Sequence, residues 1–210
     1  MRETGSAATA RPYHHGDLRN ALVQAARTIL EKEGPAALSL RAVAREAGVS
    51  PAAPYHHFKD KCELLDAVAQ EGWEQLGHEV AQARSDAPCS KSALTDIGVA
   101  YVKFARANPA LYRVMYDGMR DRTAMPEHAK DAGSGWTHVG EAIVAAGGKP
   151  DPQELQLATI AAWCAAHGLA EMATFREFEP LKEALGGEDA FLRAILEHIG
   201  VFTHAGRPKA

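Results

Sequence analysis

Residues 39–61 read "SLRAVAREAGVSPAAPYHHFKDK". Two short helical patterns meet at one glycine, the second holds two prolines, and aromatic and basic groups close the stretch. Ser39 is positioned to cap a helix that turns Leu40, Val43, Ala44 and Ala47 inward, and Gly48 to end it. Ser50 is expected to cap the next helix, with Pro51 in its first turn, where a missing N–H costs little. Helices joined by so short a turn cross steeply, with Val49 expected as the buried plug between them. That is helix-turn-helix spacing. The same spacing also fits a tight helical corner inside a core.

In a helix-turn-helix the second helix enters the DNA major groove by its N-terminal end. Ser50 opens that helix, and Pro51, Ala52 and Ala53 are small enough to let backbone approach base edges and a thymine methyl. Tyr55, His57 and Lys61, flanked by His56 and Lys59, follow one turn on, where their polar tips reach phosphates. Arg41, early on the preceding helix, is a candidate for a guanine edge or a phosphate. Pro54, fourth in its helix, removes the first intrahelical hydrogen bond and pushes Ala53 away from α geometry. An irregular, rigid start is expected there.

Outward from this stretch, nearly every segment has helical period and none alternates convincingly as a strand. A first helix starts near Asp17, carries Leu18, Leu22, Ala25 and Ile29 on one stripe, and stops at Gly34-Pro35. Asp60 and Glu63 resemble a capping box for a longer fourth helix over 60–83, with Leu64, Leu65, Val68, Trp73, Leu76 and Val80 apolar. Further helices are expected over 94–104, after the break at Asn108-Pro109, over 136–146, from Pro152 to about Phe175, and from Glu188 to about Thr203. The set is about nine helices, an all-α chain without sequence repeats.

The 210 residues are 46% hydrophobic and 24% charged, ordinary for a globular chain. No apolar run approaches the roughly 18 residues a membrane span needs, so no membrane role is expected. The first residues, "MRETGSAATARPYHHGD", lack the apolar centre of a secretory signal and are expected to form a floppy arm. Cys62, Cys89 and Cys164 are far apart and form no C-x-x-C pair, which fits free thiols in a reducing cytoplasm. The net charge of −4 is uneven: residues 1–60 hold eight Lys/Arg against six Asp/Glu, leaving −6 for the remainder. A mildly basic head on an acidic body is compatible with phosphate binding.

The run "SLRAVAREAGVSPAAPYHHFKDKCELLDAVAQEG", preceded by "EKEGPAALS", resembles the DNA-binding domain of the tetracycline-repressor family of bacterial regulators. The resemblance covers about residues 14–73, most specifically the "AREAGVS" turn and the Tyr55-x-His57-Phe58-x-x-Lys61 run. It implies a helix-turn-helix domain over 14–62 that reads the major groove of a pseudo-palindromic operator, with Tyr55, His57 and Lys61 on the backbone. It further implies a fourth helix leading into an effector-binding, dimerising body over 84–205. The departure is Pro54, where the family usually has a bulky apolar residue.

Within the body, "TIAAWCAAHGLAEMATF" resembles a subgroup with a Trp…His-Gly signature, here Trp163, His167 and Gly168. Helical spacing sets Ile160, Trp163, His167, Ala170 and Thr174 on one face, with Ala161, Cys164, Gly168 and Met172 beside it. Small residues there allow close helix approach. By resemblance, residues 153–175 and 188–203 are expected to form a homodimer interface that includes Ala161, Trp163, Cys164, Gly168 and Met172. The alternative is that Trp163 and His167 stack within one subunit's core.

Candidates for an effector cavity are Trp73, Tyr101, Phe104, Tyr112, Met115, Trp136 and His167. They contain no basic cluster, which favours a largely apolar or aromatic small molecule. A competing reading is a helical metal-binding protein or enzyme using Cys164, His167 and Glu171, whose spacing on one helix allows shared ligation. The chain lacks H-E-x-x-H, Glu-x-x-His, G-x-S-x-G, Walker A and G-x-G-x-x-G. No catalysis, cofactor or metal is therefore expected, and the preferred reading is a ligand-responsive repressor.

Overall fold

The computed structural model describes residues 15–120, 134–147 and 149–199. The N-terminal arm with His14, the polar loop before Trp136 and the tail after Ile199 lie outside them. The chain divides into two compact units, Met1–Val68 and Ala69–Ala210.

The first unit holds α1 (His15–Glu33), α2 (Leu40–Glu46), a 3-10 helix over Ala53–His56 and the beginning of α3 (Lys61–Asp86). α1 starts two residues before the expected Asp17 cap. Leu22, Ala25, Ala26, Ile29 and Leu30 of α1 pack with Leu40, Val43 and Ala44 of α2, and Phe58, Leu64 and Val68 complete this core. At α2 the Ser39 hydroxyl accepts the Ala42 N–H at 3.1 Å, as its sequence position predicts. Gly48 takes φ +67°, the Val49 N–H returns to Ala44 O at 2.9 Å, and the Gly48 N–H to Arg45 O at 3.2 Å. This six-to-one and five-to-two pair is a Schellman stop, which needs a residue free of the Cβ penalty in left-handed conformation. Val49 is half-buried, not the expected buried plug.

The second unit continues α3 from Ala69 and adds α4 (Ser90–Ala107), α5 (Pro109–Arg120), α6 (Gly135–Ala145), α7 (Pro152–Met172), a 3-10 turn over Arg176–Phe178, α8 (Glu179–Leu185) and α9 (Glu188–His198). α4 is the central element, packed against α6, α7 and α9 through side chains such as Leu94, Ile97, Val102 and Phe104. α7 begins with a full capping box: the Asp151 carboxylate accepts the Glu154 N–H at 2.9 Å, and Glu154 accepts the Asp151 N–H at 3.3 Å. α3 and α5 approach closely at Gly72, where a Cβ would stand 2.6 Å from the Met115 sulfur.

Among the described residues there is no strand, and nine α-helices appear, but not the nine expected. The third expected helix is 3-10, and α8 was not anticipated. Its seven residues lack an amphipathic repeat, and its one buried side chain is Lys182. Pro180 near its start and Gly186 just past its end were the available signal. Lys182 Nζ, 5% exposed as a residue, donates to Ala173 O at the end of α7 at 2.9 Å and to the Glu179 carboxylate at 2.6 Å. That contact holds α8 to the end of α7. Among the described residues no helix is long and apolar enough to cross a membrane.

Candidate functional site

The element after Gly48 answers why the chain uses two prolines in so short a stretch. An α-helix starting at Ser50 needs residue 54 to donate to Ser50 O, and Pro54 has no N–H. Ser50 O instead takes the Ala53 N–H at 3.0 Å, Tyr55 donates to Ala52 O at 3.2 Å, and His57 to Pro54 O at 3.0 Å. The result is the 3-10 helix Ala53–His56 in place of the expected α-helix, with Ala52 rather than Ser50 at its cap position and no side-chain cap. Pro54 is buried in this unit, so its ring supplies the apolar packing of a bulkier side chain while shortening the turn.

Ser50, Pro51, Ala52, Tyr55, His56 and Lys59 are exposed, as is Arg41 on α2; Ala53 and His57 are half-buried. Tyr55 is 54% exposed, unusual for so large a ring, and stands free for a partner. Lys61 is already engaged: its ammonium donates to Pro35 O at 2.8 Å and ties the end of the stretch to the turn between α1 and α2. Asp60 caps α3 as its spacing predicts, but Glu63 reaches back one residue further than a capping box requires. The Glu63 N–H donates to Asp60 at 3.0 Å, and Glu63 accepts the Lys59 N–H at 2.6 Å. Arg19 lies over the Phe58 ring at 5.4 Å, bracing the same turn.

In the second unit a cleft of about 1220 Å³ lies between α6 and α7. Trp136, Val144, Leu155, Ile160, Trp163 and Tyr116 make most of its wall, and among its described lining residues Arg84 and Glu141 are the one pair of opposite charge. Arg84 Nη1 is bonded to the Glu141 carboxylate and donates to His138 Nδ1 at 3.1 Å, so that charge is compensated within the protein. A second, more polar cleft of about 670 Å³ is lined by Tyr112, Tyr116, His167, Arg113, Asp117 and Glu171, among others. Tyr116 lines both.

Between the clefts runs a chain of hydrogen bonds. Trp163 Nε1 donates to the Tyr116 hydroxyl at 2.9 Å; Tyr116 bonds Tyr101; Tyr101 and Tyr112 hydroxyls are 2.8 Å apart; and the Tyr112 hydroxyl is 2.5 Å from His167 Nδ1. Burial pushes Tyr116 up to about 12 and drives Tyr101 and Tyr112 further up, so all three phenols keep their protons. Burial lowers His167, against the opposing Glu171 charge, and the imidazole is neutral at neutral pH.

Of the expected cavity residues, only Trp136 lines the larger cleft, while Tyr112 and His167 line the smaller. Tyr101 is buried between them. Phe104 and Met115 are core, each 1% exposed, and Trp73 sits behind the wall with its ring 5.3 Å from Tyr116 and 5.9 Å from Trp163. Tyr116 was missed, although its i,i+4 spacing from Tyr112 was visible. Trp163, expected at the dimer face, is half-buried and lines the larger cleft, its ring 5.3 Å from Tyr101 and 6.1 Å from Trp136. Ala161 is half-buried. Cys164, Gly168 and Met172 are exposed and line an apolar groove with Phe178, Leu181 and Ile199. Among the described residues no three His, Cys, Asp or Glu side chains gather as a metal site, so Cys164, His167 and Glu171 do not converge.

Residues 94–199 match the family described as tetracyclin repressor-like, C-terminal domain, and residues 22–68 match bacterial regulatory proteins, tetR family. A solved protein of unknown function from Rhodococcus sp. RHA1 is similar at 29% identity and TM-score 0.72, covering 90% of this chain and 97% of its own. A TetR family transcription regulator from Marinobacter aquaeolei VT8 is similar in fold at 19% identity and TM-score 0.61, over 86% of this chain and 92% of that one. A TetR-family transcriptional regulator from Haemophilus influenzae RD gives 18% and 0.63, over 88% and 94%.

Proposed function

The chain belongs to the tetR family of bacterial regulatory proteins, and from that premise we propose that it is a cytoplasmic repressor that binds a pseudo-palindromic operator as a homodimer and releases it when an apolar or aromatic molecule enters the α6–α7 cleft. The observation that carries the DNA half is the element after Gly48. It presents small residues, Pro51 to Ala53, beside the exposed Tyr55, His56 and Lys59. Small side chains let the element sit deep in the groove, and the polar tips take phosphates on either side. Arg41 and His57 extend that set, and Lys61 adds positive charge from beside the Pro35 carbonyl.

The dimer reading is supported by the apolar groove on α7 and α9, with Met172 45% and Ile199 43% exposed. Large apolar side chains exposed in a contiguous groove favour a covering partner, here a second copy. The Trp…His-Gly signature gains a physical meaning, since Trp163 and His167 both join the buried cluster of tyrosine hydroxyls, Trp163 as a donor to Tyr116. Membership of that subgroup is part of the proposal, and the contacts of these two residues are what support it.

α3 is common to both units, with Asp60 and Glu63 capping its start and Arg84 at the cleft near its end. A ligand that breaks the Arg84–Glu141 contact acts directly on that helix. It relieves repression only if it binds the DNA-incompetent form more tightly; a hundredfold preference corresponds to about 2.7 kcal/mol. The test is a fluorescence titration of an aromatic probe, with and without operator DNA selected from a random pool. All three tryptophans (Trp73, Trp136, Trp163) belong to the second unit, so emission reports the cleft. Operator must weaken the probe by the factor by which the probe weakens operator. Equal affinity in both titrations would refute the switch.

A further inference from the structure

Among the described residues that line the α6–α7 cleft, Arg84 is the one cation and Glu141 the one carboxylate. Their bond joins the end of α3 to α6, and its two members are held unequally. Arginine has no acceptor, so His138 Nδ1 takes an Arg84 N–H at 3.1 Å with its own lone pair. Arg84, half-buried, therefore keeps a second partner on α6 if Glu141 leaves. Glu141 has no such second hold among the described residues. Its carboxylate stands 3.6 Å from the same His138 nitrogen, which accepts from Arg84 and has no proton to offer. Glu141 is also exposed, so its carboxylate can return to water at little cost. The guanidinium is the fixed member of the pair and the carboxylate the exchangeable one.

An exchangeable carboxylate on a fixed guanidinium defines what a ligand can bring. The rest of the wall is largely aromatic and aliphatic, with Trp136, Trp163, Leu155 and Val144 contributing, and suits a flat apolar body. The Thr159 hydroxyl on that wall is spent on Leu155 O at 2.8 Å. We propose that the α6–α7 cleft selects aromatic carboxylic acids in their ionised form, and that the ligand carboxylate replaces Glu141 on Arg84. A planar guanidinium matches a carboxylate, and the bond strengthens where the ligand's own ring keeps water away. A cationic ligand is disfavoured by the same asymmetry, since it would have to draw Glu141 from an arginine that stays in place. The exchange ends the ion pair between α3 and α6. The inference rests on the effector reading given above and names the chemical class of that effector. Arg84 is its specificity-determining residue.

The test uses the full-length protein and three probes on one ring system: 2-naphthoate, its uncharged amide and 2-naphthylmethylammonium, each titrated by calorimetry at neutral pH. The acid should bind wild type roughly tenfold more tightly than the amide, the scale of one hydrogen bond to a charged group. The ammonium should bind no more tightly than the amide. In Arg84→Gln the acid's advantage over the amide should vanish. Glu141→Gln removes the competing carboxylate and should raise the advantage about two- to fivefold above its wild-type value, the range of one exposed ion pair. Equal binding of acid and amide to wild type, a preference for the ammonium, or an advantage that survives Arg84→Gln overturns the inference and leaves the effector reading standing. Binding of none of the three probes to wild type removes the effector reading as well. If Arg84→Gln fails to fold, Glu141→Gln decides. An acid-to-amide ratio at or below the wild-type value there overturns the exchange, because a carboxylate that does not compete is not the one displaced.

Discussion

Replacing Gly48 by Ala tests the turn on which the DNA-binding element depends. Gly48 sits at φ +67°, and a Cβ built on it meets nothing within 4 Å, so no clash contributes. What remains is backbone strain of about 1–2 kcal/mol for an L-residue in left-handed conformation. Against it stands a gain of about 0.4–1 kcal/mol, because alanine has fewer unfolded conformations to lose than glycine. The net loss is therefore roughly 1 kcal/mol. With a urea dependence of about 1–3 kcal/mol per molar, the midpoint should fall by about 0.3–1 M.

Far-UV circular dichroism is the appropriate probe, because all three tryptophans belong to the other unit. Gly48→Asn serves as the control: asparagine tolerates this conformation and should recover part of the loss. The same glycine-to-alanine change at Gly168 should have the opposite sign in the isolated subunit. Gly168 lies within α7, and an added Cβ there also meets nothing within 4 Å. Only helix propensity acts, and alanine should stabilise by up to about 1 kcal/mol. A Gly48→Ala protein as stable as wild type would refute the argument, since it would mean that the turn after α2 does not require a positive φ.

Lys61→Gln removes a charge but keeps a donor for Pro35 O; if Lys61 also contacts phosphate, the salt slope of operator binding should fall by about 0.9 per half-site. An unchanged slope would confine Lys61 to holding the α1–α2 turn. Gly168→Leu should shift sedimentation from dimer to monomer and weaken operator binding, because two linked half-site contacts act at high effective concentration; an intact dimer would move the interface off this groove. Asp151→Ala removes one side of the α7 capping box and should lower stability by about 1 kcal/mol, read as a drop in melting temperature followed by tryptophan emission.

What the residue string determined by itself was local. Ser39, Gly48, Asp60 with Glu63, and the Asn108-Pro109 break act within a few residues of themselves, so the boundaries they set were legible from spacing alone. The basic and aromatic run from Tyr55 to Lys61 was legible for the same reason. Pro54 was legible only in part: the lost hydrogen bond was evident, but whether the chain would continue as α or tighten to 3-10 depended on burying the proline ring. Helical periodicity in the second unit identified apolar faces without saying which neighbour each face meets. An aromatic at core spacing can end as Phe104, packed on all sides, or as Trp136, on an open wall. Tyr116 and Trp163 became cleft residues only because α5 and α7 bring four polar tips together beside Tyr101 of α4. Burying a hydroxyl is costly unless it finds a partner, and those partners lie from 11 to 55 positions apart in the chain. Lys182 is the same case in miniature: a charged residue in a helix with no amphipathic signal, buried because the end of α7 supplies an acceptor. Spacing encodes what a residue can do to its own turn of helix; which distant polar group it meets is decided by the packing of the elements.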